Sequence, residues 1–230
     1  MINTAVPWTY DLDEAIRLQE SLRYRLALSW DNRPVNTIAG VDFTYTAGAI
    51  RAGIAVFSYP NLSRLQAVVG EAPQAFPYIS GLLAYRVGPA ILSAWEKLKH
   101  KPDVLLVHGH GIAHPRGVGL ASHIGLWINT PTIGAAKTRL YGLQAAAGEN
   151  VGDWALLANE GDPQKVIGAV LRTRPDCRPI YVSAGHLVDL PHAIEFVLAT
   201  CQGCRMPEPL RAAHQAAAES RHNIQSQHKQ

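Results

Sequence analysis

The sequence predicts an α/β or α+β fold with a mixed sheet, and three observations carry that expectation. Three strand-like segments follow one another with short turns, the pattern of an antiparallel meander. Helical periods then alternate with short apolar runs of the buried-strand type. The chain has 230 residues, 47% of them hydrophobic, and shows no linker or internal repeat. That is enough for one domain, taken as residues 1–220, with a full core.

Each element has a local signal. Residues 11–29 read as an amphipathic helix, with Ala15, Leu18, Leu22 and Leu26 at helical spacing. Asn32, Arg33 and Pro34 break it. Strands are expected at 37–45, 50–59 and 62–71, punctuated by Ala47-Gly48 and Pro60-Asn61. From Gly81 to Lys99 the period is helical, through Leu83, Val87, Ile91 and Trp95, with Pro89 able to kink or divide the helix. PDVLLVHG reads as a buried strand. A helix after Pro115 carries Leu120, His123, Ile124 and Trp127. Residues 130–137, 164–172 and 178–183 are further strand segments, and Pro191 opens a helix to about Cys201. The last residues, 221–230, read as a polar, disordered tail.

Composition bounds function loosely. The net charge of +3 permits nucleic-acid binding without demanding it, because no dense basic tract is present. No run approaches the ~18 apolar residues of a membrane span, and the N-terminus lacks a signal-peptide core, so no membrane role and a cytoplasmic location are expected. The three cysteines argue against a disulfide framework. Cys201 and Cys204 form a CxxC, but His214 and His222 miss the spacing of a zinc site, and free thiols are the plainer reading.

Chemistry-bearing residues fall at strand ends. Asp42 sits inside the first strand between Val41 and Phe43, where a carboxylate needs a partner or a metal. His108 ends VLLV, and Gly109 and Gly111 follow, so backbone can approach a bound group closely. Lys137 with Arg139 follows the 130–137 strand and suits phosphate or open solvent. His186 closes a later strand behind Gly185. Signatures for dinucleotide binding, P-loops, HExxH zinc sites, GxSxG elbows and zinc deaminases are absent.

Taken together, IAGVDFTY, FPYISGLLAYR, PDVLLVHGHGIAHPRGVGLASHIGL, PTIGAAKTRLYG, PIYVSAGH and RMPEPLR resemble the endonuclease V family, in that family's order. The resemblance covers residues 10 to about 211. It implies a ribonuclease H-like mixed sheet flanked by helices, and cleavage of DNA or RNA near deoxyinosine or inosine with Mg²⁺ or Mn²⁺. By resemblance, Asp42 matches the first metal-binding aspartate. Pro77, Tyr78 and Ile79 match the wedge that parts the strands at the lesion. Gly81, Leu83, Gly109, Gly111 and Leu140 match the pocket for the flipped base. His114, Arg116 and Lys137 match positions near the substrate, with Arg116, Lys137 and Arg139 expected on phosphates, and His186 matches a histidine near the metal.

The chain also departs from the pattern. Val87 stands where the family phrase FRE has its glutamate, and His108 where VDGHG has its aspartate. Ser80 replaces a proline and Gly117 an arginine. The implied site falls from three carboxylates to one, which suits hard Mg²⁺ poorly. Three readings follow: an inosine-binding protein with impaired Mg²⁺-dependent cleavage; an active nuclease with a rebuilt transition-metal site on Asp42, His108 and His186; or a structural, partner-binding remnant.

Overall fold

A computed structural model describes residues 2–3 and 6–227, with side chains as far as Glu219. Helix α1 spans Leu12–Leu22 and is capped by Asp11, whose carboxylate accepts from the Glu14 N–H at 2.8 Å. Strands β1 (Thr37–Tyr45), β2 (Ala49–Ser58) and β3 (Arg64–Pro73) form the expected meander. Helix α2 (Leu83–Glu96) leads to β4 (Val104–His108), then α3 (Leu120–Ile128) and β5 (Thr132–Ala136). Next come β6 (Leu143–Gln144), β7 (Trp154–Ala158), β8 (Val166–Leu171) and β9 (Ile180–His186). Helices α4 (Leu190–Ala199) and α5 (Glu208–Gln227) complete the described chain.

Among the described residues the strands form one nine-stranded sheet in the order β3-β2-β1-β4-β5-β9-β8-β7-β6. Strands β1, β4 and β5 run parallel and the other pairs antiparallel, so the sheet is mixed as expected. The alternation of side chains along β1 and β4 divides the core. Val41, Leu105 and Val107 join α2 and α3 on one face. Ile38, Val104 and Leu106 join α4 and α5 on the other. Asp42 and His108 continue the second series by period two, so both belong to the α5 face.

Three elements depart from the sequence expectation, and the open question at Pro89 has an answer. The first helix stops at Leu22 and passes through one 3-10 turn, Arg23–Arg25. Leu26 is extended, and Ala27 then bonds across to the end of β9, donating to His186 Nδ1 and accepting from the Leu187 N–H. Pro89 does not divide α2, which continues through it. Strand β7 hides in WALLA, much of which faces solvent. Helix α5 has a stripe of Leu210, Ala213 and Ala217 that is buried, and its backbone stays helical to Gln227, into the stretch read as a tail. Residues 228–230 lie outside the described residues.

The position of α5 depends on two glycines. A Cβ at Gly40 would stand 2.2 Å from the Pro209 carbonyl carbon, and one at Gly53 2.2 Å from the Ala213 oxygen. The helix backbone therefore lies directly on the β1–β2 ribbon. Gly40→Val should force α5 away and destabilise the protein by about 3 kcal/mol, the cost of overpacking a rigid contact. Urea denaturation of the variant beside the wild type measures this; an unchanged midpoint would show that α5 is not held there.

Candidate nucleic-acid and phosphodiester site

Two cavities open at the carboxyl ends of β1, β4 and β5. The larger, about 470 Å³, is lined by Phe43, Tyr78, Ile79, Gly81, Leu83, Gly109, Leu120 and Leu140, among others. The second, about 310 Å³, lies on the α5 side and is lined by Asp42, Met206, Glu208, Arg211 and His214. His108 and Lys137 line both and form the wall between them. A concave apolar space of this size with a few polar groups suits a small planar ligand.

The HGHG segment gains its course from close backbone packing. A Cβ at Gly111 would stand 2.0 Å from the Ala184 oxygen, so the chain crosses β9 in contact with it. The Gly111 N–H donates to Ser183 Oγ at 2.8 Å. This brings Gly109 to the larger cavity and holds Gly111 behind its wall. Tyr78 is 74% exposed beside the cavity mouth, with Pro77 exposed next to it and Ile79 half-buried. The wedge and pocket residues named from the sequence, Gly111 apart, thus share one cavity or adjoin it.

Asp42 is buried at the centre of the second cavity's wall. Its Oδ1 lies 2.9 Å from His108 Nδ1, and its Oδ2 3.0 Å from His214 Nδ1. Oδ1 also accepts from the Phe43 N–H at 2.7 Å. A carboxylate only accepts, so the His214 imidazole carries its hydrogen on Nδ1, while His108 Nδ1 stands in close contact with Oδ1. Both carboxylate oxygens are therefore occupied by protein.

His214 was not singled out for this site from the sequence. It follows RMPEP on a helix whose Ala213 packs over Gly53, the register partner of Asp42, and only that packing brings it to the site. His186 is the matching error. It pairs with Thr132, which lies beside Leu105, three residues before His108 on β4. That places it roughly 10 Å back along the strands at ~3.3 Å per residue. It is buried and accepts from the Ala27 N–H, so the set Asp42, His108 and His186 does not assemble.

Lys137 and Arg139 are exposed at the end of β5, and the Lys137 carbonyl is fixed by the Arg205 guanidinium at 2.8 Å. Arg116 differs from expectation. Its guanidinium donates to Gln19 Oε1 at 2.6 Å and to the Gly81 carbonyl at 3.0 Å, bonds made within the fold. His114 is buried against the same carbonyl, at 2.9 Å from Nε2. Burial, aided by the Arg116 charge, pushes His114 down to about 4. Val87 is buried in the α2–α3 core with Val41 and Val107. At the CxxC, burial pushes the Cys201 thiol up to about 12, which keeps it protonated, and His214 faces Asp42 instead.

This is the ribonuclease H-like architecture, with its site at the carboxyl ends of neighbouring strands. The endonuclease V family model matches residues 18–215. An endonuclease V of Trichormus variabilis is 44% identical, over 92% of this chain and 96% of its own length. The crystal structure of the Streptomyces avermitilis endonuclease V superposes with a TM-score of 0.87 at 33% identity, covering 97% of this chain and 98% of that one. The Ciona intestinalis endonuclease V, in complex with a 24mer DNA containing an inosine followed by a ribo-adenosine, superposes at 0.81 with 26% identity, covering 92% and 98%. The chain belongs to the endonuclease V family.

That family is in general divalent-metal dependent, and the donors here do not fit a hard divalent ion. Asp42 accepts from the Phe43 N–H on Oδ1, with His108 Nδ1 2.9 Å away, and from His214 on Oδ2. Glu208, the other carboxylate lining the second cavity, is paired with Arg211. Among the described residues no three His, Cys, Asp or Glu side chains converge on one point that could hold a metal. Magnesium requires oxygen donors in near-octahedral array, which Val87 and two imidazoles do not supply.

The buried histidines make stability pH-dependent. Burial pushes His123 down to about 3 and His114 to about 4, from an ordinary 6.5. Below 6.5 the unfolded chain takes up protons that the folded one refuses, so their contribution is full above 6.5 and is lost as pH falls toward 4. His114 alone can contribute on the order of 3 kcal/mol across that window. Urea midpoints should therefore drop between pH 7 and pH 5, and His123→Phe should flatten the slope. A slope unchanged in that variant would show that His123 titrates normally.

Proposed function

We propose that this chain recognises inosine in DNA or RNA through the larger cavity, and that its Mg²⁺-dependent phosphodiester cleavage is impaired. The observation that carries the reading is the contrast between the two cavities. The larger one keeps the apolar, glycine-lined walls and the exposed Tyr78 that an extruded base and its replacement in the stack would need. The second has two carboxylates, and neither is free: Asp42 is faced by His108 and His214, and Glu208 is paired with Arg211. The Ciona relative's structure with inosine-containing DNA supports the choice of ligand. Lys137 and Arg139 supply the positive charge for phosphates at the rim.

In this reading the chain's own groups bind and orient. The base enters between Leu83, Gly109 and Leu140, and Tyr78 fills the gap it leaves. Lys137 stands on the shared wall, within reach of a phosphate at either cavity.

The test is one set of incubations. Inosine-containing and adenosine control oligonucleotides are mixed with the protein in Mg²⁺, Mn²⁺ and Zn²⁺ in turn. Binding that prefers inosine and weakens with salt is expected, without robust cleavage in Mg²⁺. Robust Mg²⁺ cleavage by the wild type would overturn the impairment, and equal binding of both oligonucleotides would overturn the recognition.

Restoring the carboxylates tests the cause. Val87→Glu with His108→Asp should raise Mg²⁺-dependent cleavage above the wild-type level, measured on the same inosine substrate. A folded double variant that gains nothing would place the impairment elsewhere, with Ser80 and Gly117 next.

A further inference from the structure

The larger cavity is held in shape by a residue of α1 that lies outside every motif of the family resemblance. Gln19 is buried, with 1% of its surface exposed. Its Nε2 donates to the Gly81 carbonyl at 3.0 Å and to the Val118 carbonyl. Its Oε1 accepts from Arg116 Nε at 2.6 Å. One side chain thus joins three segments, and all its hydrogen-bonding groups are used.

The Gly81 carbonyl is the meeting point. It accepts from Gln19, from His114 Nε2 at 2.9 Å and from the Arg116 guanidinium at 3.0 Å. The His114 tautomer is fixed by the same arrangement. Its Nδ1 accepts from the Arg116 N–H at 3.1 Å, so the ring hydrogen is on Nε2 and points at the carbonyl. Gly81 itself has φ +81, and a Cβ there would stand 2.7 Å from the Arg116 guanidinium. The position is open only to glycine, and it separates two parts of the cavity. Before it lie Pro77, Tyr78 and Ile79; after it α2 begins with Leu83 and Ala84 on the cavity wall.

We propose that Gln19 is the positioning residue of this site: its clasp on Gly81, shared with His114 and Arg116, sets the wedge against the base pocket and thereby sets the preference for inosine over adenosine. Pro77 and Tyr78 are exposed, so the anchor at Gly81 determines where they stand. Without Gln19, the Val118 carbonyl and Arg116 Nε lose their partners in a buried setting, and Arg116 swings away from the carbonyl it helps to hold. This inference rests on the larger cavity being the inosine pocket.

The test compares wild type, Gln19→Met and Gln19→Glu, each with and without Tyr78→Ala, by binding to single-inosine and matched adenosine oligonucleotides without metal. Gln19→Met removes all three bonds; Gln19→Glu keeps the one from Arg116 and serves if the first variant does not fold. The inosine preference should fall about tenfold in Gln19→Met, as expected for stranding buried polar groups, and at least as far in Gln19→Glu, whose carboxylate sets acceptors against the Gly81 and Val118 carbonyls. In the Tyr78→Ala background the same substitutions should have little further effect, because the clasp acts through the wedge. A role in overall stability alone would leave the preference intact, or give losses that add to that of Tyr78→Ala, and either result overturns the proposal. If the wild type binds both oligonucleotides equally, the inosine reading fails and takes this one with it. If the wild type discriminates and folded Gln19→Met does so equally, this proposal alone fails.

Discussion

The contact of α5 with the β1–β2 ribbon is the constraint on which the site depends. Gly40 and Gly53 remove the side chains that would hold the helix off, and its backbone comes to rest on the sheet. At that separation, His214, next to Ala213, reaches Asp42 on the strand below. The same packing closes the second core, where Leu210 and Ala213 meet Ile38 and Leu106. The second cavity is therefore a product of helix–sheet distance, and the identity of its side chains matters only once that distance is set.

The contacts of Asp42 show how a buried charge is met within the protein. A carboxylate surrounded by carboxylates needs a cation to be stable, and one between two imidazoles does not. With His108 on Oδ1 and His214 on Oδ2, the buried charge is satisfied by the protein itself. Val87 packs with Val41 and Val107 in the apolar core on the other face of the sheet.

Much of the fold was legible because its strands are short apolar runs between strong punctuation. β1 was bounded to the residue by the turn at 47–48 and the break at 32–34, and β4 by its lysine and glycine flanks. Strand β7 escaped because much of WALLA faces solvent beside the short edge strand β6, where the apolar signal is weak. Helix α5 escaped because its buried stripe is mostly alanine, and alanine carries little hydrophobic contrast. The cavity residues were readable because motifs place them near one another in sequence. His214 and Gln19 were not, since each acts on a partner more than sixty positions away, and only packing brings them together. His186 misled for the converse reason: a histidine after glycine at a strand end looks the same from either end of a sheet.

The wall of His108 and Lys137 has two faces, one toward the base cavity and one toward Asp42. A partition shared in this way ties two affinities together. Any change of side chain at 108 alters the surface of both cavities at once. In the proposed reading, the residue at 108 therefore meets two demands, one from the phosphate side and one from the base side. An imidazole, flat and uncharged in one of its forms, meets both demands at once.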